Sequence, residues 1–299
     1  MFKPFLRTIA MVTPLVLGAF FPECNSWTWL IKWCLIVMVF ITFLGIRWKE
    51  FTLRAANIYI VLVNLAVALI AWLVCRQWGG MELSEAAFFV GIMPTATSSP
   101  VIISLMGGNV AFMLVSLLLG SAVICAVLPF LMPIVIGQSA GWEISWQMAQ
   151  NIFLVMGLPF IVAWLVRRIH PQSIAWPAKL KDFSFGLWVF ALFIISAHAF
   201  HDIQQQSNQG DAIIWQIGIV SLLLCIVNFW LGRFLTRGNL KHECSQALGQ
   251  KNTTFCMYLA LVYASPLAAL GPTFYVFWQN LWNAWQLYRH SSKQSKRNT

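Results

Sequence analysis

Gly249-Gln250-Lys251-Asn252-Thr253-Thr254 sets a lysine and a run of small polar side chains inside an apolar segment. That segment continues through Phe255-Cys256-Met257-Tyr258-Leu259-Ala260-Leu261-Val262. An ammonium at membrane depth costs roughly 2.5–3.5 kcal/mol even on lenient insertion scales, and such a residue marks a functional site by default. The plainer reading is a lysine whose stem lets the charge snorkel to an interface. Lys251 lies well past the polar cluster ending at Glu243, so a side chain covers only part of the distance. Charges at that depth generally face a cavity rather than lipid. Lys251 is therefore read as part of a site.

The surrounding chain supports a membrane setting. Of 299 residues, 60% are hydrophobic and only 9% charged, with a mean hydropathy of +0.74. Soluble domains carry about 25% charged residues. The 16 Trp and 23 Phe suit interfacial belts and lipid-facing surfaces. A net charge of +10 on a soluble chain would point to nucleic acid. Here the basic residues sit in loops between apolar runs, and no nucleic-acid partner is expected.

Apolar runs long enough to cross about 30 Å of hydrocarbon lie near 6–22, 27–46, 56–76, 83–106, 109–137, 147–168, 183–200, 212–235, 244–264 and 267–288. With a cytoplasmic N-terminus, the inner loops and tails collect 16 of the 19 basic residues: Lys3, Arg7, Arg47, Lys49, Arg54, Arg167, Arg168, Lys179, Lys181, Arg233, Arg237, Lys241, Arg289, Lys293, Lys296 and Arg297. Arg76 falls in an outer loop, while Lys32 and Lys251 lie within spans. The positive-inside rule then puts both termini in the cytoplasm of a multi-pass protein of the inner (plasma) membrane. The run ending at Phe20-Phe21-Pro22 has no small-x-small cleavage site after it and is read as the first span. Lys32 is within snorkelling reach of the outer interface and is given no role. The seven Cys are scattered through the spans and read as packing residues.

A second span is also interrupted. Met93-Pro94-Thr95-Ala96-Thr97-Ser98-Ser99-Pro100 sets two prolines around a hydroxyl-rich run, which an ordinary mid-membrane helix does not accommodate. Either the backbone breaks where protein or a water-lined cavity satisfies it, or the helix is kinked and its hydroxyls bond back to its own carbonyls. The break is the preferred reading. The polar loop at 138–145 divides the chain into two halves, residues 1–138 and 146–290, each with five spans. An odd number per half inserts the halves in opposite orientation, and the fourth span of each is the interrupted one. Paired interruptions at corresponding positions are the best pointer to a transporter site between inverted repeats.

His198, His201 and Asp202 could be mistaken for a metal cluster at an outer helix end, but three such groups without a fourth ligand are more often simply solvated. No metal site is expected. Asn57 and Asn64 share one face of the third span. The tail 291–299 is basic, expected to be disordered, and suited to anionic inner-leaflet lipid.

Tyr263-Ala264-Ser265-Pro266-Leu267-Ala268-Ala269-Leu270 followed by Phe277-Trp278-Gln279-Asn280 resembles the last helix of the bile acid:sodium symporter family. Thr97-Ser98-Ser99-Pro100-Val101 with Gly108-Asn109-Val110-Ala111 is similar to that family's first crossing segment, and Gly249-x-x-Asn252 to the core of its second. Gly45 and Asn228 also fit. The resemblance implies an all-α fold of ten transmembrane helices in two inverted five-helix repeats. Spans three to five and eight to ten would form a core domain, in which broken helices four and nine cross. Spans one, two, six and seven would form a panel domain. It also implies small or amphipathic organic anions as substrates and two sodium ions behind the crossing.

The sodium ligands are where this chain departs from the family. The coordinating glutamate falls at Ala247, the glutamine of the Gln-Asn pair at Lys251, and the asparagine is kept as Asn252. The asparagine of the first crossing segment falls at Pro100, although Ser99 matches its serine, and two helix-five hydroxyls fall at Met113 and Leu117. One carboxylate plus two sodium ions gives the same net charge as alanine plus one ammonium. Lys251 is thus expected to replace bound sodium, with Thr97, Ser98, Ser99, Asn252, Thr253, Thr254, Gln250 and Asn228 completing the site. No cofactor is expected; sodium is doubtful and a proton is a candidate coupling ion, since lysine also functions neutral when buried. The expected carrier moves a bile-acid-like anion or a small carboxylate or sulfate by alternating access. Its partners are that anion and membrane lipid. A sodium-coupled symporter of the same family is the alternative, and a non-transporting receptor the remote one. An enzyme is not expected, since no HExxH, GxSxG or paired intramembrane carboxylates occur.

Overall fold

A computed structural model of the chain describes residues 13–14, 16–46, 52–137, 142–205, 212–235 and 239–295. Lys3, Arg7, Arg47, Lys49, Arg237 and residues 296–299 lie outside the described residues. Among the described residues the chain is helical, with one isolated antiparallel bridge between Thr95 and Lys251. In chain order the helices are α1 (Trp29–Leu44), α2 (Ala55–Ile92), α3 (Ser99–Leu105), α4 (Val110–Val135), α5 (Trp142–Ile152), α6 (Leu158–Ile169), α7 (Trp176–Lys179), α8 (Lys181–Gln205), α9 (Ala212–Phe234), α10 (Lys241–Gly249), α11 (Thr253–Tyr263) and α12 (Pro266–Ser295). A π-turn, Phe153–Gly157, joins α5 to α6.

Among the described residues, five stretches are long and apolar enough to cross a membrane: Ala55–Ile92, Val110–Val135, Ser145–Ile169, Lys181–His198 and Ala212–Phe234. Large apolar side chains such as Leu62, Ile70, Leu73, Ile219 and Trp230 are exposed along them, as suits a lipid-facing surface. Arg76, Arg168 and Arg289 lie over the rings of Trp72, Trp164 and Trp285, pairings suited to interfaces. The chain is a multi-pass membrane protein. Fewer uninterrupted crossings appear than the apolar runs in the sequence suggest: two of those runs are broken into half-helices, the second run gives only the 16 residues of α1, and α12 is long but less apolar. Part of the run at 6–22 also lies outside the described residues.

The third run and the first half of the fourth form α2, two helical stretches joined at a kink at Gly80. That residue has φ 77° and ψ −164°, a region that only glycine enters readily. Past the kink, the 12 residues from Met81 to Ile92 climb about 18 Å at 1.5 Å per residue. Pro94 then ends the helix: it has no N–H to donate and pushes Met93 to φ −48°, ψ 131°, outside the helical region. Pro100 does the reverse. It occupies the first turn of α3, where a missing N–H costs nothing. The two prolines therefore bracket the break instead of kinking one helix. The second interruption, Gln250–Asn252, has no proline. It follows the nine residues of α10, about 14 Å of helix, and precedes the eleven of α11, about 17 Å. Each half-helix covers about half the hydrocarbon thickness.

At its far end α12 runs to Ser295, so residues 291–295 continue the helix rather than forming a disordered tail. Gln, Ser and Lys with no Gly or Pro give it no stop signal. Pro129 and Pro133 are carried inside α4, and Pro272 inside α12.

Candidate functional site

The two breaks meet and pair as short antiparallel backbone. Ala96 N–H donates to Gln250 O at 2.8 Å, and Asn252 N–H donates to Pro94 O at 2.8 Å. These bonds satisfy backbone groups that neither half-helix could satisfy alone, the condition for non-helical chain at membrane depth. Gln279 of α12 completes the clasp. Its Oε1 accepts from Lys251 N–H at 2.8 Å and its Nε2 donates to Lys251 O at 3.4 Å.

Lys251 is 1% exposed, so its ammonium does not snorkel. It donates to Asn64 Oδ1, to Gly91 O at 3.1 Å and to Met93 O at 3.2 Å. Three N–H donors thus find three oxygens. Two of the acceptors belong to the C-terminal end of α2, where the helix dipole is negative and the last carbonyls lack intrahelical donors. Asn64 holds the arrangement by donating its Nδ2 to Ile92 O and Met93 O at 3.3 and 3.2 Å.

The matching end of α10 is served by hydroxyls. Thr95 Oγ1 donates to Ala247 O at 2.7 Å, and Tyr275 OH donates to Gly249 O at 2.8 Å. Asn228 is buried and donates its Nδ2 to Tyr275 OH at 3.3 Å. The Gly91, Ile92 and Met93 carbonyls of the first broken end and the Ala247 and Gly249 carbonyls of the second thus accept from donors of the chain itself.

Gln250 is buried and points away from the ammonium. Its Nε2 donates to Ser98 Oγ at 3.1 Å, and its Oε1 accepts from Asn283 Nδ2. Asn252 is half-buried and caps α11, its Oδ1 accepting from Phe255 N–H at 3.4 Å. Ser99, Pro100, Thr253 and Thr254 are buried, whereas Thr97 and Ser98 are exposed at the turn before α3. The eight residues expected to complete the site beside Lys251 are therefore split, with Gln250 and Asn228 also buried. Thr97, Ser98 and part of Asn252 can face a solute, and Ser99, Thr253 and Thr254 face protein. Met113 and Leu117 are buried apolar residues. His198 and His201 lie on α8, and among the described residues no group of His, Cys, Asp and Glu is arranged to hold a metal.

Sequence reasoning missed several of these partners. Asn64 was visible only as half of a polar pair with Asn57, and Gln279 only as part of a family-like motif. Tyr275 gave no signal, being one aromatic among many. Two buried carboxylates were also passed over. Glu243 Oε1, on α10, accepts from Asn109 N–H at 2.8 Å, and Asn109 is the N-cap of α4. Glu85 Oε2, on α2, accepts from Ser265 N–H at 3.2 Å and Ser265 Oγ at 2.8 Å, just ahead of α12. Ser265 Oγ in turn accepts from Ala268 N–H at 3.2 Å.

Broken, paired half-helices with buried polar closures in a multi-pass helical protein define a membrane transporter. Residues 6–263 match the SBF-like CPA transporter family, whose members are related to the bile acid:sodium symporters. The chain belongs to that family, and is a carrier rather than an enzyme. No curated protein matches it.

Proposed function

We propose that this chain is a secondary carrier of an organic anion that works without sodium, the Lys251 ammonium standing where relatives bind the cation. The observation that carries the reading is the ammonium's three oxygen ligands: Asn64 Oδ1, Gly91 O and Met93 O. A metal cation at that spot would compete with a covalently attached one. The Thr95 and Tyr275 hydroxyls on Ala247 O and Gly249 O support the same reading at the second half-helix end. Ala247 itself supplies no carboxylate.

In this reading the fold is two inverted five-helix repeats, residues 1–138 and 146–290, with both termini cytoplasmic. The core is built from α2–α4 and α9–α12, and the panel from the first span, α1, α5–α6 and α8. The two carboxylates support the repeat. Glu85 on the first broken span holds the residue ahead of α12, and Glu243 on the second holds the N-cap of α4. Each repeat thereby clasps the start of the other's last helix. Thr97, Ser98 and Asn252 offer hydrogen bonds to an anion at mid-depth, with the positive N-terminal end of α11 beside them.

The test is thermal stability of the purified protein against taurocholate, pyruvate and sulfate, each in sodium and in potassium chloride. Stabilisation by one anion class, equal in the two salts, is expected. Stabilisation that appears only in sodium would overturn the substitution and favour the sodium-coupled symporter.

A further inference from the structure

Among the described residues, the crossing offers no available cation to an anionic cargo. Lys251 is sealed, and its three donors are consumed by protein oxygens. Other basic side chains of the described spans sit near helix ends or the Gly80 kink: Arg76, Arg167, Arg168 and Arg233. Lys32 is different. It lies in the first turn of α1, is half-buried, and donates its Nζ to Asn151 Oδ1 at 3.1 Å. Asn151, on α5, donates its Nδ2 to Tyr263 OH at 2.5 Å. Tyr263 is the last residue of α11.

The three side chains thus bridge two panel helices to the second half-helix of the core, on the outer side in the orientation proposed above. α11 packs against both α1 and α8 there, while the packing partners of α3, on the opposite side, are α4 and α10. The Lys32–Asn151–Tyr263 bridge therefore closes the half of the panel–core boundary that α11 occupies. One of three ammonium donors is used, by a neutral amide, and no carboxylate among the described residues is paired with it. The π-turn Phe153–Gly157 begins two residues after Asn151. Such one-turn bulges interrupt the regular ladder and recur at functional sites.

We propose that Lys32, with Asn151 and Tyr263, is the anion-binding subsite at the outer mouth of the transport path. An organic carboxylate, sulfonate or sulfate exchanges with the Asn151 side-chain oxygen on the ammonium, which frees Asn151 from Lys32 and leaves the bridge to α11 resting on the Asn151–Tyr263 bond alone. An anion is a stronger acceptor than a neutral amide, so the exchange favours entry of the charged cargo. Tyr263 holds Asn151 in place when the mouth is empty. This deepens the carrier reading, and it rests on that reading only for the identity of the cargo.

The test uses charged thiol reagents as the probes, so it does not require the cargo. Asn151→Cys is treated with 2-sulfonatoethyl methanethiosulfonate or its trimethylammonioethyl counterpart, and the modified peptide is identified by mass spectrometry. With each rate divided by the same reagent's rate on free 2-mercaptoethanol, the anionic reagent should react about tenfold faster than the cationic one, through a unit charge a few ångströms away. In Asn151→Cys/Lys32→Met the ratio should fall to about one. Tyr263→Cys, with and without Lys32→Met, repeats the measurement should Asn151→Cys fail to fold. Absence of labelling, absence of charge preference, or a preference that survives Lys32→Met would each overturn the assignment. Sodium dependence of stabilisation would sink the carrier's proposed coupling and leave this result standing.

Discussion

Replacing Lys251 with Met keeps the buried stem and removes the ammonium. In the folded protein Gly91 O and Asn64 Oδ1 then lose the donor they have, while Met93 O keeps Asn64 Nδ2. A buried acceptor left unpaired costs about 1–3 kcal/mol, so two cost about 2–6 kcal/mol. The opposing effect is relief of burying a charge, which favours the variant. That relief is blunted because the native ammonium is fully hydrogen-bonded and sits at the negative end of α2. We expect the orphaned acceptors to win. At about 2–4 °C per kcal/mol for a large domain, that cost corresponds to a fall in melting temperature of about 4–24 °C, and the relief of the buried charge puts the expected fall in the lower part of that range. Lys251→Gln should fall less, since a carboxamide supplies two donors to the same oxygens. Thermal unfolding of the purified variants in detergent, at one scan rate and in potassium chloride, reads both. A Lys251→Met protein as stable as the parent would refute the reasoning: the ammonium would then be a tolerated burden and not the group that closes the α2 terminus.

Two further outcomes follow from the same geometry. Tyr275→Phe removes the hydroxyl between Gly249 O and Asn228 Nδ2; at about 1–3 kcal/mol for the orphaned pair, it should lower the melting temperature by several degrees while the remaining phenyl ring still fills the volume. Gly232→Ala would put a methyl 2.4 Å from Cys244 O and 2.8 Å from Ser245 Cα; α9 and α10 must then separate, an overpacking cost of about 1–3 kcal/mol seen as lower thermal stability, with Ser221→Ala on the same helix as a comparison that only removes a hydrogen bond.

The membrane class and the two interruptions were legible in the residues. Apolar length reports burial in lipid whatever the neighbours are, and Pro94 and Pro100 act through their own rings on the adjacent backbone. Both are local effects, so they survive without tertiary information. The second break was readable only from its polar composition and its place in the chain. Its conformation depends on bonds to Pro94 and Ala96, on the other broken span.

What the tertiary structure alone decided is where each polar group points and what it meets. Residues in the breaks follow neither helical nor strand periodicity, so no period could sort exposed Thr97 and Ser98 from buried Ser99, Thr253 and Thr254. The depth of Lys251 was visible from its position, but its acceptors were not: they come from one side chain on α2 and two carbonyls freed by the other break. Lys32 was read as a snorkelling residue, because its partner Asn151 lies on a helix far along the chain. Periodicity tells which face of a helix is apolar, and only the packing of helices against one another tells which oxygen a buried ammonium finds there.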